Sequence, residues 1–194
     1  MRIGVLALQG GVPEHLGHLE RLGVEGRRVR RAAELEGLEG LILPGGESTA
    51  IGSLLAADGM VAALRDFSAR RAVWGTCAGM ILMAREVEGG RPVLSLMDIA
   101  VERNAFGRQL DSFEEPLAVD ALRGDGGQPF PGVFIRAPRI ARAGPSARVL
   151  AQLADGTAVA AQEGRLLATA FHPELTGDLR FHAYFADLAR GESP

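Results

Sequence analysis

The chain has 194 residues, 47% of them hydrophobic, and a formal net charge of −3. That is enough apolar material for one well-filled core, so residues 1–194 are expected to form a single domain. The mild acidity gives nucleic acid or an anionic membrane no electrostatic hold, no run reads as a membrane span or a signal peptide, and the lone cysteine excludes an intramolecular disulfide and suits a reducing cytoplasm.

Ile3 to Leu8 is continuously apolar, the pattern of a strand buried on both faces of a parallel sheet. Gln9-Gly10-Gly11 follows as a loop. Glu14 to Leu22 reads as a helix with apolar residues at Leu16, Leu19 and Leu22. His15 and His18 sit one turn apart, but no third ligand is near them, so a solvated helix face is expected there and no metal site. After Gly23, Val24 to Val29 is a weak second strand.

Leu38 to Leu43 is a clear buried strand that ends in Pro44-Gly45-Gly46-Glu47-Ser48-Thr49. Two glycines after a strand present backbone N–H groups at the carboxyl edge of a sheet, where α/β folds bind ligands. Ser48 or Thr49 is placed to cap a helix over Ala50 to Ala57. Met60 to Arg70 is a further helix. Ala72 to Gly75 is the next strand, and Ala78 to Arg85 the helix after it.

Between these last two lies Gly75-Thr76-Cys77-Ala78-Gly79. This is a G-x-C-x-G form of the nucleophile elbow, a sharp strand-to-helix turn that exposes its central side chain. Glycines on both sides fit a turn with no room for Cβ atoms. A thiol there gains the field of a helix N-terminus and nearby N–H groups for an oxyanion. A buried structural cysteine is the plainer alternative.

Glu86 to Pro92 reads as a loop and Val93 to Val101 as mixed apolar sequence. The polar stretch Glu102 to Gln109 suits either a recognition loop or a solvated segment. Short strands at Leu117–Val119 and Val133–Ile135 flank the Gly/Pro-rich Gly124 to Gly132. Val149–Leu153, Thr157–Gln162 and Leu166–Phe171 read as successive strands with hairpin turns at Asp155-Gly156 and Glu163-Gly164. The later half is thus antiparallel beside a β-α-β-α-β-α parallel half.

The last strand runs into His172-Pro173-Glu174. Two residues apart on an extended strand end, His172 and Glu174 point the same way. An imidazole oriented by a carboxylate is what a thiol nucleophile needs. Cys77, His172 and Glu174 are therefore candidates for acyl transfer through a thioester, with N–H groups of Gly46 and Ala78 as the oxyanion hole. Asp178 to Ala189 is an amphipathic closing helix.

The elbow together with His172-Pro173-Glu174 resembles the class I glutamine amidotransferase family. Ile3 to Gly10, Leu43 to Thr49, Asn104-Ala105-Phe106-Gly107-Arg108-Gln109 and Phe134-Ile135-Arg136-Ala137-Pro138 resemble, more narrowly, glutaminase subunits of pyridoxal 5′-phosphate synthases. Ala50 stands where that family often has threonine. The resemblance implies a flavodoxin-like α/β fold and hydrolysis of L-glutamine to glutamate and ammonia, with no cofactor. It implies that Gly46, Glu47, Ser48, Arg103, Ile135 and Arg136 contact glutamine. It also implies that Gln9 lies at the interface with a (β/α)8-barrel synthase partner and sets the oxyanion peptide. All 21 basic residues are arginine, so this chain has no lysine for a Schiff base. Imine chemistry must then belong to another protein. A glutaminase of another pathway, such as that of imidazole glycerol phosphate synthase, a flavodoxin-like Cys hydrolase, and a binding module with an inert Cys77 are the other readings.

Overall fold

The computed structural model describes residues 1–106, 112–122 and 127–192. The first half alternates strand and helix: β1 (Arg2–Leu6), α1 (Val12–Arg21), β2 (Glu25–Val29), β3 (Gly40–Leu43), α2 (Ser48–Ala57), α3 (Met60–Ser68), β4 (Ala72–Thr76) and α4 (Ala78–Met83). The second half is mostly strands: β5 (Ala84–Glu88), β6 (Met97–Glu102), β7 (Ser112–Leu117), β8 (Phe130–Ile135), β9 (Arg139–Ala143), β10 (Arg148–Gln152), β11 (Ala158–Glu163) and β12 (Leu166–Thr169), closed by α5 (Arg180–Arg190).

The apolar runs become adjacent parallel strands in the order β2-β1-β3-β4-β12, the flavodoxin-like arrangement. Every residue of β3 and β4 is buried, as strands covered by helices on both faces must be. From β12 the sheet continues through β11, β9 and β6 by antiparallel pairing, with β5 parallel on the far edge and β10 on β11. β7 and β8 form a separate antiparallel pair. Among the described residues no helix is long and apolar enough to cross a membrane.

Four local expectations are corrected. The elbow helix stops at Met83, and residues expected as a loop form β5, an edge strand whose Arg85 and Glu86 face solvent. β9 was not visible as an apolar pattern, because two of its five residues are arginines. Arg139 lies 2.6 Å from Glu102 on the neighbouring β6, and Arg142 lies 2.6 Å from Glu86 on β5, one strand further out. The cap of α2 is Glu47, whose carboxylate accepts from the N–H groups of Thr49 and Ala50 at 3.0 and 2.7 Å. His15 and His18 are not solvated: the buried stripe of α1 is Val12, His15, His18 and Leu19, and His15 is wholly enclosed. The leucines at positions 16 and 22, read from sequence as the inner face, are only partly covered.

Candidate active site

The elbow forms as its glycines require. A Cβ on Gly75 would lie 2.4 Å from the carbonyl carbon of Gly79, and one on Gly79 would lie 1.9 Å from the carbonyl oxygen of Leu43. With both glycines the chain turns sharply, and Cys77 takes φ 48° and ψ −104°, a strained conformation for a residue with a side chain. The Cys77 N–H donates to the Thr169 carbonyl at 2.8 Å, which ties the elbow to the end of β12. Three residues later the same chain presents His172.

His172 is fixed from the other side by β8. Its N–H donates to the Val133 carbonyl at 2.8 Å. Behind it, the rings of Phe113 and Phe134 stack at 4.5 Å, and Phe134 lies 5.5 Å from Phe171. The β7–β8 pair is therefore the clamp that sets the histidine's height above the elbow. Glu174 does not sit on an extended strand end, as the two-residue spacing had suggested. Pro173 to Leu175 form a 3-10 turn with His172 at its N-cap, and this turn brings Glu174 Oε1 to 2.8 Å from His172 Nδ1.

The Cys77 side chain is the other hydrogen-bonding partner of His172. Burial, the largest single influence on His172, pulls its pKa down. The hydrogen bonds to Cys77 and Glu174, with the negative charges of both groups, outweigh it and push the pKa up to about 10. For Glu174 burial works against ionisation, but the histidines on its two sides, His15 and His172, more than offset it and hold its pKa below the usual range. Cys77, His172 and Glu174 are thus in contact order, with the imidazole favoured in its protonated form.

A cavity of about 330 Å³ opens over Cys77 and His172, within the usual range for a small-molecule site. Gly46, Glu47, Ser48, Ala78, Arg103, Ile135 and Arg136 all line it. At one side Arg103 Nη2 lies 3.6 Å from Glu47 Oε1 and 3.4 Å from Thr49 Oγ1. Glu47 is held ionised chiefly by the N–H groups of Thr49 and Ala50. The Ile135 carbonyl is 3.9 Å from Cys77 Sγ, and Arg136 carries a positive φ of 42°. The site thus offers a carboxylate and guanidinium groups in the wall of a cavity that also holds a thiol.

Gln9 does not line the cavity. Its Oε1 accepts from the Glu47 N–H at 2.7 Å, so it holds the peptide that follows Gly46. Gly46 has φ 150°, and a Cβ there would crowd Gln9 Oε1 at 3.1 Å. Two lining residues, Ile81 and Asn104, had been given no site role from sequence, although Asn104 belongs to the stretch read as a candidate recognition loop. Asn104 takes a positive φ (50°), where asparagine is enriched. Gly107, Arg108 and Gln109 of the same stretch lie outside the described residues.

Residues 5–190 match the model of a family described as the SNO glutamine amidotransferase family. Over 196 aligned residues the chain is 57% identical to a protein of Deinococcus radiodurans named pyridoxal 5′-phosphate synthase subunit PdxT, with 97% of each chain covered. A protein of the same name from Dehalococcoides mccartyi is 54% identical, with both chains covered in full. A crystal structure described as a glutamine amidotransferase superposes with a TM-score of 0.90 at 48% identity, covering 97% of this chain and 98% of that one.

Proposed function

The chain belongs to the SNO glutamine amidotransferase family, and from that premise we propose how its residues work. It is the glutaminase subunit of a pyridoxal 5′-phosphate synthase. Cys77, His172 and Glu174 are its catalytic triad. The observation that carries this reading is the Glu174–His172–Cys77 series of contacts beside a cavity that holds both Cys77 and His172.

Glutamine enters with its carboxamide over Cys77. Arg103 and Arg136 take its carboxylate, and Glu47 takes its ammonium. The sulfur attacks the carboxamide carbon. The oxygen becomes an oxyanion, held by the N–H of Ala78, which has no intrahelical acceptor at the first position of α4, and by a backbone N–H at Gly46. His172 then gives its Nε2 proton to the departing nitrogen, and the C–N bond breaks to release ammonia and leave a thioester on Cys77. Water, deprotonated by the now neutral His172, attacks the thioester carbon. Glutamate leaves, and the proton returns to the imidazole. Glu174 keeps Nδ1 protonated and aligned throughout.

The partner synthase subunit consumes the ammonia. We take it to be a (β/α)8-barrel that works through lysine imines, in keeping with a glutaminase chain that has no lysine. Docking of that partner near Gln9 sets the Gly46 peptide, because a glycine at φ 150° can rotate where other residues cannot. Ammonia release from L-glutamine, with and without the synthase subunit, tests both points. Release should rise strongly with the partner and vanish in Cys77→Ala. Equal rates with and without the partner would remove the switch, and release by Cys77→Ala would remove the triad.

A further inference from the structure

Glu174 has two oxygens, and the triad uses one. Oε1 is bonded to His172, whereas Oε2 is buried and has no hydrogen-bond partner among the described residues. A buried carboxylate oxygen left unpaired is expensive, so its neighbours matter. His15 Nε2 lies 3.5 Å from it. Thr76 Oγ1 stands 3.5 Å from the same nitrogen.

His15 does not stand alone. Its Nδ1 lies 2.9 Å from His182 Nε2, and His182 Nδ1 lies 3.2 Å from His18 Nδ1. His18 also meets the Thr176 carbonyl. Two of the rings pack against Trp74, with His182 centred 4.9 Å and His15 5.7 Å from its ring, and His18 packs edge-on against His182. The rings bond one to the next in a row and do not converge on one point. No group of three or more metal-binding side chains suited to an ion occurs among the described residues.

The protons in this row can be counted. Its ends are acceptors, the Glu174 carboxylate and the Thr176 carbonyl, with three imidazoles between them. Four links need four N–H groups, and three neutral imidazoles supply three, while the Thr76 hydroxyl can accept a share of the His15 Nε2 proton beside Glu174. One link must go without, and the charged acceptor holds its proton more strongly than the neutral carbonyl. The neutral row therefore has a direction: His18 Nδ1–H donates to His182, His182 Nε2–H to His15, and His15 Nε2–H to Glu174. Burial holds all three histidines below their ordinary pKa, that of His15 at about 4. The charged or titratable groups facing the row are Glu174 and His172 beside His15, Glu14 on its own helix, and Arg21 and Asp178 beside His18.

We propose that His15, oriented by His182 and His18, is a positioning residue for the glutaminase reaction. Its Nε2–H holds the second oxygen of Glu174 from behind, so that the first stays on His172. This inference rests on the reading above that Glu174 orients His172.

The test is glutaminase activity of the complex with the synthase subunit, per active site titrated by a glutamine-like thiol-alkylating reagent. Wild type is compared with His15→Phe, His15→Gln and His15→Asn. Phenylalanine keeps the ring and loses the donor, so kcat should fall roughly ten- to hundredfold, with KM changed by less than about twofold. Glutamine puts an N–H where Nε2 was and should recover most of the loss. Asparagine reaches His182 but not Glu174 and should not. Without its partner the buried Glu174 ionises less readily, so the acid limb of kcat/KM should move to higher pH in the phenylalanine and asparagine variants and return in the glutamine variant. If His15→Phe does not fold, the glutamine-to-asparagine ratio decides alone. Equal rates for those two variants, or an unmoved acid limb, would overturn the proposal. A wild-type complex with no glutaminase activity would instead overturn the reading beneath it.

Discussion

Two histidines press on one carboxylate from opposite sides, and their protonation differs completely. In front, His172 Nδ1 is 2.8 Å from Glu174 Oε1, and its pKa is pushed up to about 10. Behind, His15 Nε2 is 3.5 Å from Oε2, and its pKa is pulled down to about 4. Burial acts downward on both and is the largest single influence on each. What separates them is the next neighbour. His172 has a second partner in Cys77, whose hydrogen bond and charge favour the imidazolium, whereas His15 has other imidazoles, His18 and His172, which oppose a positive charge. One carboxylate therefore does not set the state of an adjacent histidine. A carboxylate with a cysteine sulfur beside it favours a charged imidazole, and a carboxylate with further imidazoles favours a neutral donor.

The largest effect should come from removing the charge that both histidines share. Glu174→Gln keeps the shape of the turn and one hydrogen bond to His172, but offers no anion. In the assembled synthase, kcat should fall by roughly a thousand- to ten-thousandfold, and an NMR titration should find the pKa of His172 lowered. A loss of less than about tenfold would mean that Cys77 alone keeps His172 charged, and the contrast drawn above would then reduce to the thiolate.

The next effect is on stability, and the two sides of Glu174 give it opposite signs. His15 has a folded pKa of about 4 against 6.5 unfolded. The unfolded chain then binds a proton that the native one refuses, so stability is intact above pH 6.5 and falls as pH drops from there toward 4. For His15 alone the loss is about 3 kcal/mol over the window, and His182 and His18 act in the same direction. His172, raised to about 10, contributes stability that is present below 6.5 and lost as pH rises through 10. Urea unfolding between pH 5 and 10.5 should show both limbs. The acid limb should shrink in His15→Gln and the alkaline limb in Cys77→Ala. Shrinkage of one limb by the other variant would show that the two sides are coupled rather than independent.

The front of Glu174 was far more legible in the sequence than the back. Cys77 between Gly75 and Gly79, and His172 two residues before Glu174, announce themselves by local spacing, because a strained turn and a nearby pair both leave short-range marks. The geometry that joins His172 to Glu174 was still misread, since Pro173 starts a 3-10 turn where an extended end had been assumed. The parallel strands were legible because burial on both faces leaves unbroken apolar runs. β9 was not, because cross-strand ion pairs let arginines occupy it. The histidine row lay beyond sequence reading for another reason. His15 and His182 are 167 positions apart, and a histidine that bonds another histidine looks polar in any local pattern. Leucines at positions 16 and 22 drew the apolar stripe of α1 to the wrong phase, which turned His15 and His18 outward on paper.

The smallest effect contrasts Glu174 with the other carboxylate of the site. Glu47 also has a cationic neighbour, Arg103 at 3.6 Å, but the two side chains are 53% and 32% exposed. An ion pair of that kind contributes under about 1 kcal/mol to stability. The low pKa of Glu47 comes first from the N–H groups of Thr49 and Ala50, and Arg103 is the least of its causes. Arg103→Ala should therefore leave Glu47 ionised and the melting temperature nearly unchanged. What it removes is a cation at the cavity wall, where the carboxylate of glutamine would sit. KM for glutamine should rise roughly tenfold while kcat, set by the buried relay, changes little. A matching fall in kcat would mean that Arg103 also places the carboxamide over Cys77, and that the exposed rim and the buried triad work as one unit.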